Sequence, residues 1–296
     1  MSSTGKTRLA TRAGCWRNSV AREQPTCAYD LKGRVALVTG AAGAIGAGIC
    51  RGLLQANCLV AATDLQGERL DGLAAELSEK FPRRVAGIPL DVTDPVSIRD
   101  AISAVVARWG FLDIAVINAG IAHVSSLKEL EVEAFRRLER VNVEGTLLLL
   151  KELAIHFERQ NTGGDIVLIS TKNVFSPGAH FGAYSATKAA SHQLCRIASI
   201  EFAPLGVRVN MVAPDAVFSD GERRSGLWET VGPDRMKARG LDAAGLEEYY
   251  RNRNLLKARI TADHVANAVL FFVSRQTPTT GATIPVDGGL PDATPR

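Results

Sequence analysis

The chain has 296 residues, of which 46% are hydrophobic and 22% are charged. This size and composition allow a full hydrophobic core, which excludes a fibrous or wholly disordered protein. The net charge is +4, and residues 1–28 carry five basic residues against one acidic residue. Because the positive excess lies outside the segment expected to fold, we expect no nucleic-acid partner.

Residues 1–28 are predicted to be a disordered N-terminal extension. They are rich in Arg, Ser and Thr, which also loosely resembles an organelle-targeting segment, and both interpretations stay open. No apolar run reaches the roughly 18 residues that a membrane span needs. The five cysteines are scattered and form no CxxC pair, so they do not indicate a disulfide framework. We therefore expect a cytoplasmic protein with no membrane partner.

Short apolar runs alternate with amphipathic stretches after residue 30. This alternation is typical of βαβ units and predicts one α/β domain, residues 29–296, built on a doubly wound parallel sheet with helices on both faces. The predicted strands are 34–39, 58–63, 84–90, 113–118, 165–170, 207–212 and 282–286. The predicted helices are 44–57, 67–80, 95–109, 132–160 and 183–204.

Residues 215–260 break this alternation. They contain many charges and several glycines, show no convincing strand, and could form short helices at 226–239 and 243–256. An insertion between the sixth and seventh strands lies near the carboxyl ends of the strands, where ligands bind. The segment is therefore either a substrate lid or a surface elaboration that serves as an oligomer contact.

A glycine-rich turn, TGAAGAIG at 39–46, connects the first predicted strand to the first helix. Small residues let backbone N–H groups approach a phosphate, and the N-terminus of the following helix adds a partial positive charge. The position of the turn, at the start of the first βαβ unit, is the one that dinucleotide binding requires. The predicted pyrophosphate-binding residues are Gly40, Gly43, Ala44, Ile45 and Gly46.

Asp64 ends the second predicted strand, about 20 residues after the glycine turn. A carboxylate at this position can accept both hydroxyls of an adenosine ribose and repels a 2′-phosphate. The next three residues include no Lys or Arg, so the sequence favours NAD over NADP as the cofactor. The alternative is that Asp64 only caps the next helix.

Tyr184 and Lys188 lie four positions apart in a predicted helix, so both side chains lie on one face. Thr171, a hydroxyl residue at the end of the preceding strand, lies thirteen positions before the tyrosine. Together with the glycine turn, Asp64 and Asn142, this combination of residues is not a chance pattern.

With these motifs the chain resembles the short-chain dehydrogenase/reductase family over residues 32–289. The matching stretches are TGAAGAIG at 39–46, LDVTD at 90–94, NAG at 118–120, VNVEGT at 141–146, YSATK at 184–188, VRVNMVAP at 207–214 and TTGATIPVDGG at 279–289.

The resemblance implies a role for each matching residue. Tyr184 would be the general acid/base, with a pKa lowered by the Lys188 ammonium and by an oxidised nicotinamide. Lys188 would also bind the nicotinamide ribose, Thr171 would hold the substrate oxygen, and Asn142 would complete a proton relay. A homodimer or homotetramer formed through the long helices is also implied. The remaining cofactor-binding residues would be Asp91, Val92, Asn118, Ala119, Gly120, Pro214 and Val217.

Three positions depart from the family pattern. Ala44 replaces a glycine of the turn, and Thr171 replaces the usual serine. Asp215 follows Pro214 where glycine is usual, which puts a carboxylate near the expected reaction centre. The stretches STKNVF at 170–175 and LEEYYRNRNLLK at 246–257 further resemble the dehydrogenase half of two-domain proteins that join a rhamnulose-phosphate aldolase to a short-chain dehydrogenase. That resemblance implies a lactaldehyde-like substrate.

The predicted substrate site is polar. Lys172, Asn173, His180 and Asp215 would suit a small hydroxylated molecule better than a steroid or an acyl chain. Arginines of the insertion either pair with a substrate anion or stay solvated, and the candidates are Arg223, Arg224, Arg251 and Arg253. The spacing of the histidines indicates no metal site.

The sequence thus predicts an oxidoreductase that transfers a hydride between NAD(H) and a small polar alcohol/carbonyl pair, such as a hydroxyaldehyde, a sugar or a polyol. One alternative is an NADP-dependent reductase of the 3-oxoacyl type. The other is an NAD-binding regulator without catalytic activity, although such a protein would not need Tyr184 and Lys188.

Overall fold

Seven apolar segments form one parallel sheet. The structure is a computed structural model that describes residues 29–221 and 223–290, so the interpretations of residues 1–28 lie outside the described residues. The strands are β1 (Val35–Thr39), β2 (Leu59–Asp64), β3 (Val85–Pro89), β4 (Ile114–Ile117), β5 (Gly164–Ile169), β6 (Val207–Pro214) and β9 (Thr283–Val286). Their order is β3-β2-β1-β4-β5-β6-β9.

Helices cover both faces of this sheet, which confirms the predicted doubly wound architecture. Alternate residues of β1 contribute to different cores: Ala36 and Val38 pack in the core on one face of the sheet, whereas Val35 and Leu37 pack in the core on the other face. The helices are α1 (Ala44–Gln55), α2 (Glu68–Lys80), α3 (Pro95–Trp109), α4 (Val132–Leu138), α5 (Gly145–Gln160), α6 (Gly182–Glu201), α7 (Gly226–Arg239), α8 (Ala243–Asn252) and α9 (Ala262–Val273).

The segment 132–160 is helical throughout, as predicted, but it is not one regular α-helix. A π-helical turn, Glu139–Glu144, separates α4 from α5. Such turns are inserted where a side chain must be re-aimed, often at functional sites. Here the buried Asn142 amide pairs with both backbone groups of Ile121: its Oδ1 accepts from the Ile121 N–H at 2.9 Å and its Nδ2 donates to the Ile121 carbonyl at 2.9 Å. These hydrogen bonds fix Asn142 beside the end of β4.

The insertion at 215–260 contains two helices, as predicted, although α8 ends four residues before position 256. The sequence did not indicate its antiparallel pair of short strands, β7 (Ser219–Asp220) and β8 (Arg223–Arg224). Asp220 pairs with Arg51 of α1 at 2.6 Å, which ties this hairpin to the body of the domain. The ring of Phe218 stacks on Trp228 at 4.4 Å, so aromatic contacts connect the hairpin to α7.

Candidate functional site

A cavity of about 940 Å³ lies at the carboxyl ends of the central strands. Its wall combines the glycine turn, the ends of β4 and β5, the start of α6 and the insertion. Thr171 lines the cavity, whereas the buried Asn142 lies behind its wall. All the residues predicted to bind the cofactor line it: Gly40, Gly43, Ala44, Ile45, Gly46, Asp64, Asp91, Val92, Asn118, Ala119, Gly120, Tyr184, Lys188, Pro214 and Val217.

The glycine turn is closely packed. Gly40 has φ +63°, and a Cβ atom there would lie 2.8 Å from the Ala119 Cα atom. A Cβ atom on Gly46 would lie 2.2 Å from the Gly40 carbonyl oxygen. Helix α1 begins after Gly43 without a side-chain cap and without an acidic residue in its first turn. Its first N–H groups therefore lack a side-chain acceptor, which fits the pyrophosphate of a dinucleotide.

The Asp64 carboxylate is hydrogen-bonded to the glycine turn. Its Oδ2 accepts a hydrogen bond from the Ala42 N–H at 2.9 Å, and its Oδ1 accepts one from the Leu65 N–H at 2.8 Å. Each carboxylate oxygen retains a lone pair for a ribose hydroxyl. The alternative role as a helix cap is wrong, because the N-cap of α2 is Gly67 and no side chain caps it.

Asn118 supports the turn from the neighbouring strand. Its Nδ2 donates to the carbonyl oxygens of Thr39 at 3.0 Å and Gly40 at 2.9 Å. In return, the Thr39 hydroxyl accepts from the backbone N–H groups of Asn118 and Ala119. The sequence located Asn118 at the cavity, but it did not indicate that this amide holds the glycine turn in place.

Tyr184 and Lys188 line the same cavity, as their spacing predicts. Burial raises the pKa of Tyr184 to about 12, and a hydrogen bond with Thr171 opposes this rise. Burial lowers the pKa of Lys188 to about 8. The Lys188 Nζ donates to the Ile169 carbonyl at 2.7 Å. The net shift of the phenol is therefore upward, and the expected lowering of its pKa by Lys188 together with an oxidised nicotinamide stays a prediction.

Asn142 lies close to this pair, with Gly120 between Asn142 and Lys188. A Cβ atom on Gly120 would lie 3.2 Å from the Asn142 Oδ1 and 3.8 Å from the Lys188 Nζ. The Asn142 Nδ2 also donates to the Thr187 hydroxyl at 3.1 Å. Because Gly120 has no side chain, the Asn142 amide and the Lys188 ammonium can lie close to each other at the cavity wall.

The substrate end of the cavity contains most of the predicted polar residues, together with the aromatic side chains of Phe181 and Trp228. Lys172, Asn173 and Asp215 line it, whereas His180 is exposed and lies outside the lining. The unusual Asp215 is almost fully buried and forms an ion pair with Arg253, which directly follows α8. The guanidinium of Arg253 also lies 4.1 Å from the ring centre of Tyr250. The positive charge of Arg253 therefore neutralises the Asp215 carboxylate.

The other arginines proposed for the insertion do not line the cavity. Arg223 pairs with Glu76 at 2.9 Å, Arg251 pairs with Glu248, and Arg224 is exposed. Two absences apply to residues 29–221 and 223–290. No group of three His, Cys, Asp or Glu side chains there could hold a metal ion. No helix within those limits is long and apolar enough to cross a membrane.

Comparisons with known proteins agree with this geometry. The chain matches the family described as short chain dehydrogenase over residues 34–230. It is 34% identical over 269 residues to YuxG, an uncharacterized oxidoreductase of Bacillus subtilis (strain 168). That alignment covers 90% of this chain but only 39% of the relative.

Two further relatives are named as polyol dehydrogenases. A sorbitol dehydrogenase of Cereibacter sphaeroides is 33% identical over 197 residues, 67% of this chain and 75% of the relative. The crystal structure of sorbitol-6-phosphate 2-dehydrogenase SrlD from Erwinia amylovora superimposes with a TM-score of 0.79 at 27% identity, covering 86% of this chain and 98% of that one. The chain therefore belongs to the short-chain dehydrogenase family, whose members are oxidoreductases that use a nicotinamide cofactor.

Proposed function

We propose that this protein is an NAD(H)-dependent dehydrogenase that interconverts a small polar alcohol and its carbonyl compound. The observation that carries the proposal is that Tyr184, Lys188 and Thr171 share one cavity with the glycine turn and Asp64. The polar substrate end favours a sugar, a polyol or a hydroxyaldehyde. The names of the sorbitol and sorbitol-6-phosphate dehydrogenases support the same substrate class.

A narrower relationship, to the dehydrogenase half of aldolase-linked proteins, is part of the proposal. Its support is the alignment that covers 90% of this chain and 39% of YuxG, as expected for a single domain matched to part of a longer protein. This relationship favours lactaldehyde and similar hydroxyaldehydes as the first substrates to test.

The cofactor would be held by three features of this chain. The backbone of Gly43–Gly46 would bind the pyrophosphate, Asp64 would accept the adenosine ribose hydroxyls, and Lys188 would donate to the nicotinamide ribose. The strand-end residues Asp91, Val92, Asn118, Ala119 and Gly120 and the β6-end residues Pro214 and Val217 would complete its binding site. When bound, the nicotinamide supplies or accepts the hydride.

The protein residues handle the proton. With its pKa raised, the Tyr184 phenol is neutral at pH 7 and can donate its proton to a carbonyl oxygen as negative charge develops there. The Thr171 hydroxyl lies within hydrogen-bonding reach of the phenol, so it can stabilise the same substrate oxygen. Lys188, with a pKa of about 8, exchanges protons near neutrality. Together with Asn142 it would return a proton to the phenol.

The insertion at 215–260 would serve as the substrate lid. Its residues Trp228, Arg235 and Tyr250 line the same cavity as Tyr184, and its hairpin is tied to α1 through Asp220. A wall built from a separate segment can exclude water from the reacting atoms once a substrate is bound.

A screen of NADH absorbance tests the proposed reaction. Purified protein is assayed with sugars, polyols, lactaldehyde and hydroxy acids, using NAD and NADP in parallel. We expect turnover of at least one small polar compound, with a higher kcat/KM for NAD. Faster turnover of a 3-oxoacyl thioester with NADPH would instead support the acyl-reductase alternative. Tight NADH binding without any turnover would support the regulator.

Replacing Asp64 tests the choice of NAD. We expect Asp64→Ala to lower kcat/KM for NAD by about a hundredfold, because the variant loses the ribose contacts and the anchor of the Ala42 N–H. Arg69, which follows Asp64 by five positions, also lines the cavity and is available to a 2′-phosphate. The matched control is Asp71→Ala, which removes an exposed carboxylate from α2. A wild-type preference for NADP would contradict the assignment.

We further propose a homodimer or homotetramer formed through α5 and α6. Leu147 on α5 and Ile197 and Ile200 on α6 are exposed apolar side chains, and Ile200 is 75% exposed. Light scattering after gel filtration measures the assembly, and a monomer at micromolar concentration would contradict it.

A reducing, cytoplasmic location is proposed because the thiols of Cys50 and Cys195 are buried, and cell fractionation tests it.

A further inference from the structure

Arg235 of α7 is a buried cation without a matching anion. Its side chain lines the cavity, and only 5% of the residue is exposed. Its Nη1 donates to the Ala179 carbonyl at 3.3 Å and its Nη2 donates to the Tyr250 hydroxyl at 3.4 Å. Its Nε is buried and has no hydrogen-bond partner. The guanidinium is thus held by long contacts to neutral oxygens, with donors left over.

A buried carboxylate elsewhere in the described chain shows how a buried charge is usually neutralised. Asp165, at the opposite edge of the sheet, pairs with Arg34 at 2.6 Å, Arg208 at 2.7 Å and Arg275 at 2.8 Å. Within residues 29–221 and 223–290, Arg235 has no such carboxylate. Because burying an unpaired charge is costly, Arg235 is expected to have a function that offsets this cost.

The surroundings of Arg235 are positively charged overall. The pKa of Lys172 is lowered to about 8, chiefly by burial and also by the positive charges of Arg253 and Arg235. Asp215 and Asp287 oppose this effect, but Asp215 is already engaged by Arg253. Three cationic side chains therefore line the substrate end of the cavity, against Asp215 in the lining and Asp287 nearby, and one positive charge remains.

This charge lies close to the proposed proton donor. The guanidinium carbon of Arg235 lies 4.9 Å from the ring centre of Phe181, and that ring contacts Tyr184 at 6.1 Å between ring centres. One aromatic ring thus separates Arg235 from Tyr184. An anion held by Arg235 would belong to a substrate of a few carbons whose other end reaches the phenol.

We propose that Arg235, with Lys172 nearby, binds an anionic group of the substrate, either a carboxylate or a phosphate. This inference rests on the proposed function and narrows its substrate class to hydroxy acids or phosphorylated polyols, in preference to neutral polyols. A guanidinium with unused N–H donors suits both anions, because charge-assisted hydrogen bonds to either are short and strong.

Thermal melting of the purified protein tests this inference without requiring turnover. The probes are inorganic phosphate, glycerate and uncharged glycerol. We expect at least one anion to raise the Tm of the wild-type protein while glycerol at equal concentration does not. A larger Tm shift with phosphate indicates a phosphorylated polyol as the substrate, and a larger Tm shift with glycerate indicates a hydroxy acid.

Variants at Arg235 test whether this residue causes the rise in Tm with anions. Arg235→Met should weaken anion binding about tenfold or more, and its Tm without anion should equal or exceed that of the wild type, because a buried unpaired charge is removed. Lys237→Gln removes an exposed charge from the same helix and should retain the full anion response. Arg235→Lys, which keeps the charge, should bind more tightly than Arg235→Met.

Two results would overturn the inference. One is an unchanged anion response in Arg235→Met, as binding at the glycine turn alone would give. The other is a wild-type protein that shows no anion response. If Arg235→Met does not fold, Arg235→Lys supplies the same comparison through its weaker anion binding. Failure of the proposed function is a separate result, seen as absence of NADH turnover whatever the anions do.

Discussion

Replacing Tyr184 with phenylalanine is expected to lower kcat by about a thousandfold or more and to leave NADH affinity nearly unchanged. Removal of a general acid typically costs two to four orders of magnitude, because the developing oxyanion then lacks a proton donor. The substitution keeps the aromatic ring and its contact with Phe181, so the cavity retains its shape. Steady-state kinetics and titration of NADH fluorescence measure the two effects.

The pH dependence of the same variant distinguishes a proton donor from a packing residue. Burial raises the Tyr184 pKa to about 12, so the phenol stays protonated through the neutral range. Carbonyl reduction, which uses the protonated form, should lose no activity from this group below about pH 9. Alcohol oxidation, which needs the phenolate, should rise with pH over the same range.

Tyr184→Phe should lose this dependence of the oxidation rate on pH. Tyr249→Phe, which removes a hydroxyl from a partly exposed tyrosine of α8, should behave as the wild type. Near-normal turnover in Tyr184→Phe, or an equal loss in the Tyr249 variant, would refute the assigned role.

Alanine at Gly46 is expected to lower NADH affinity by about a hundredfold or more and to destabilise the protein by about 3 kcal/mol. A Cβ atom at this position would lie 2.2 Å from the Gly40 carbonyl oxygen and 2.7 Å from the Ala41 Cα atom. Both neighbours are backbone atoms of the glycine turn, so the turn itself must move. Its N–H groups would then no longer converge on a phosphate.

Alanine at Gly43 is the matched control within the same turn. A Cβ atom there would lie 3.5 Å from the Gly40 carbonyl oxygen, which is an ordinary contact, and the residue has a negative φ of −78°. We expect Gly43→Ala to change NADH affinity less than threefold, roughly 0.6 kcal/mol. Thermal melting and NADH titration of both variants check the contrast. Equal losses at the two positions would show that the turn does not bind the cofactor as proposed.

The fold could be predicted from the sequence because its signals are local. Fully apolar runs such as those of β1 and β4 indicate strands buried on both faces, and the alternating helical stretches then require a parallel sheet. The site could be predicted for the same reason. Its residues follow the carboxyl ends of β1, β2, β4 and β5, and these ends meet at one edge of the sheet.

The features that the sequence could not supply depend on contacts between distant segments. The π-helical turn exists because Asn142 bonds the backbone of Ile121, 21 positions away. The upward shift of the Tyr184 pKa comes from burial by several elements, which no spacing encodes. Arg235 looks like any charged residue of a surface helix. Its isolation emerges only in the fold, where Asp215 pairs with Arg253 and no carboxylate of the described residues pairs with Arg235.

Transfer of deuterium from C4-deuterated NADH tests the central claim most directly. The protein is incubated with the labelled cofactor and each carbonyl compound of the substrate screen, and the products are analysed by mass spectrometry and NMR. We predict one deuteron on the new carbinol carbon of a small polar product, and no transfer above background with Tyr184→Phe. Absence of label from every product, or undiminished transfer by the variant, would contradict the account.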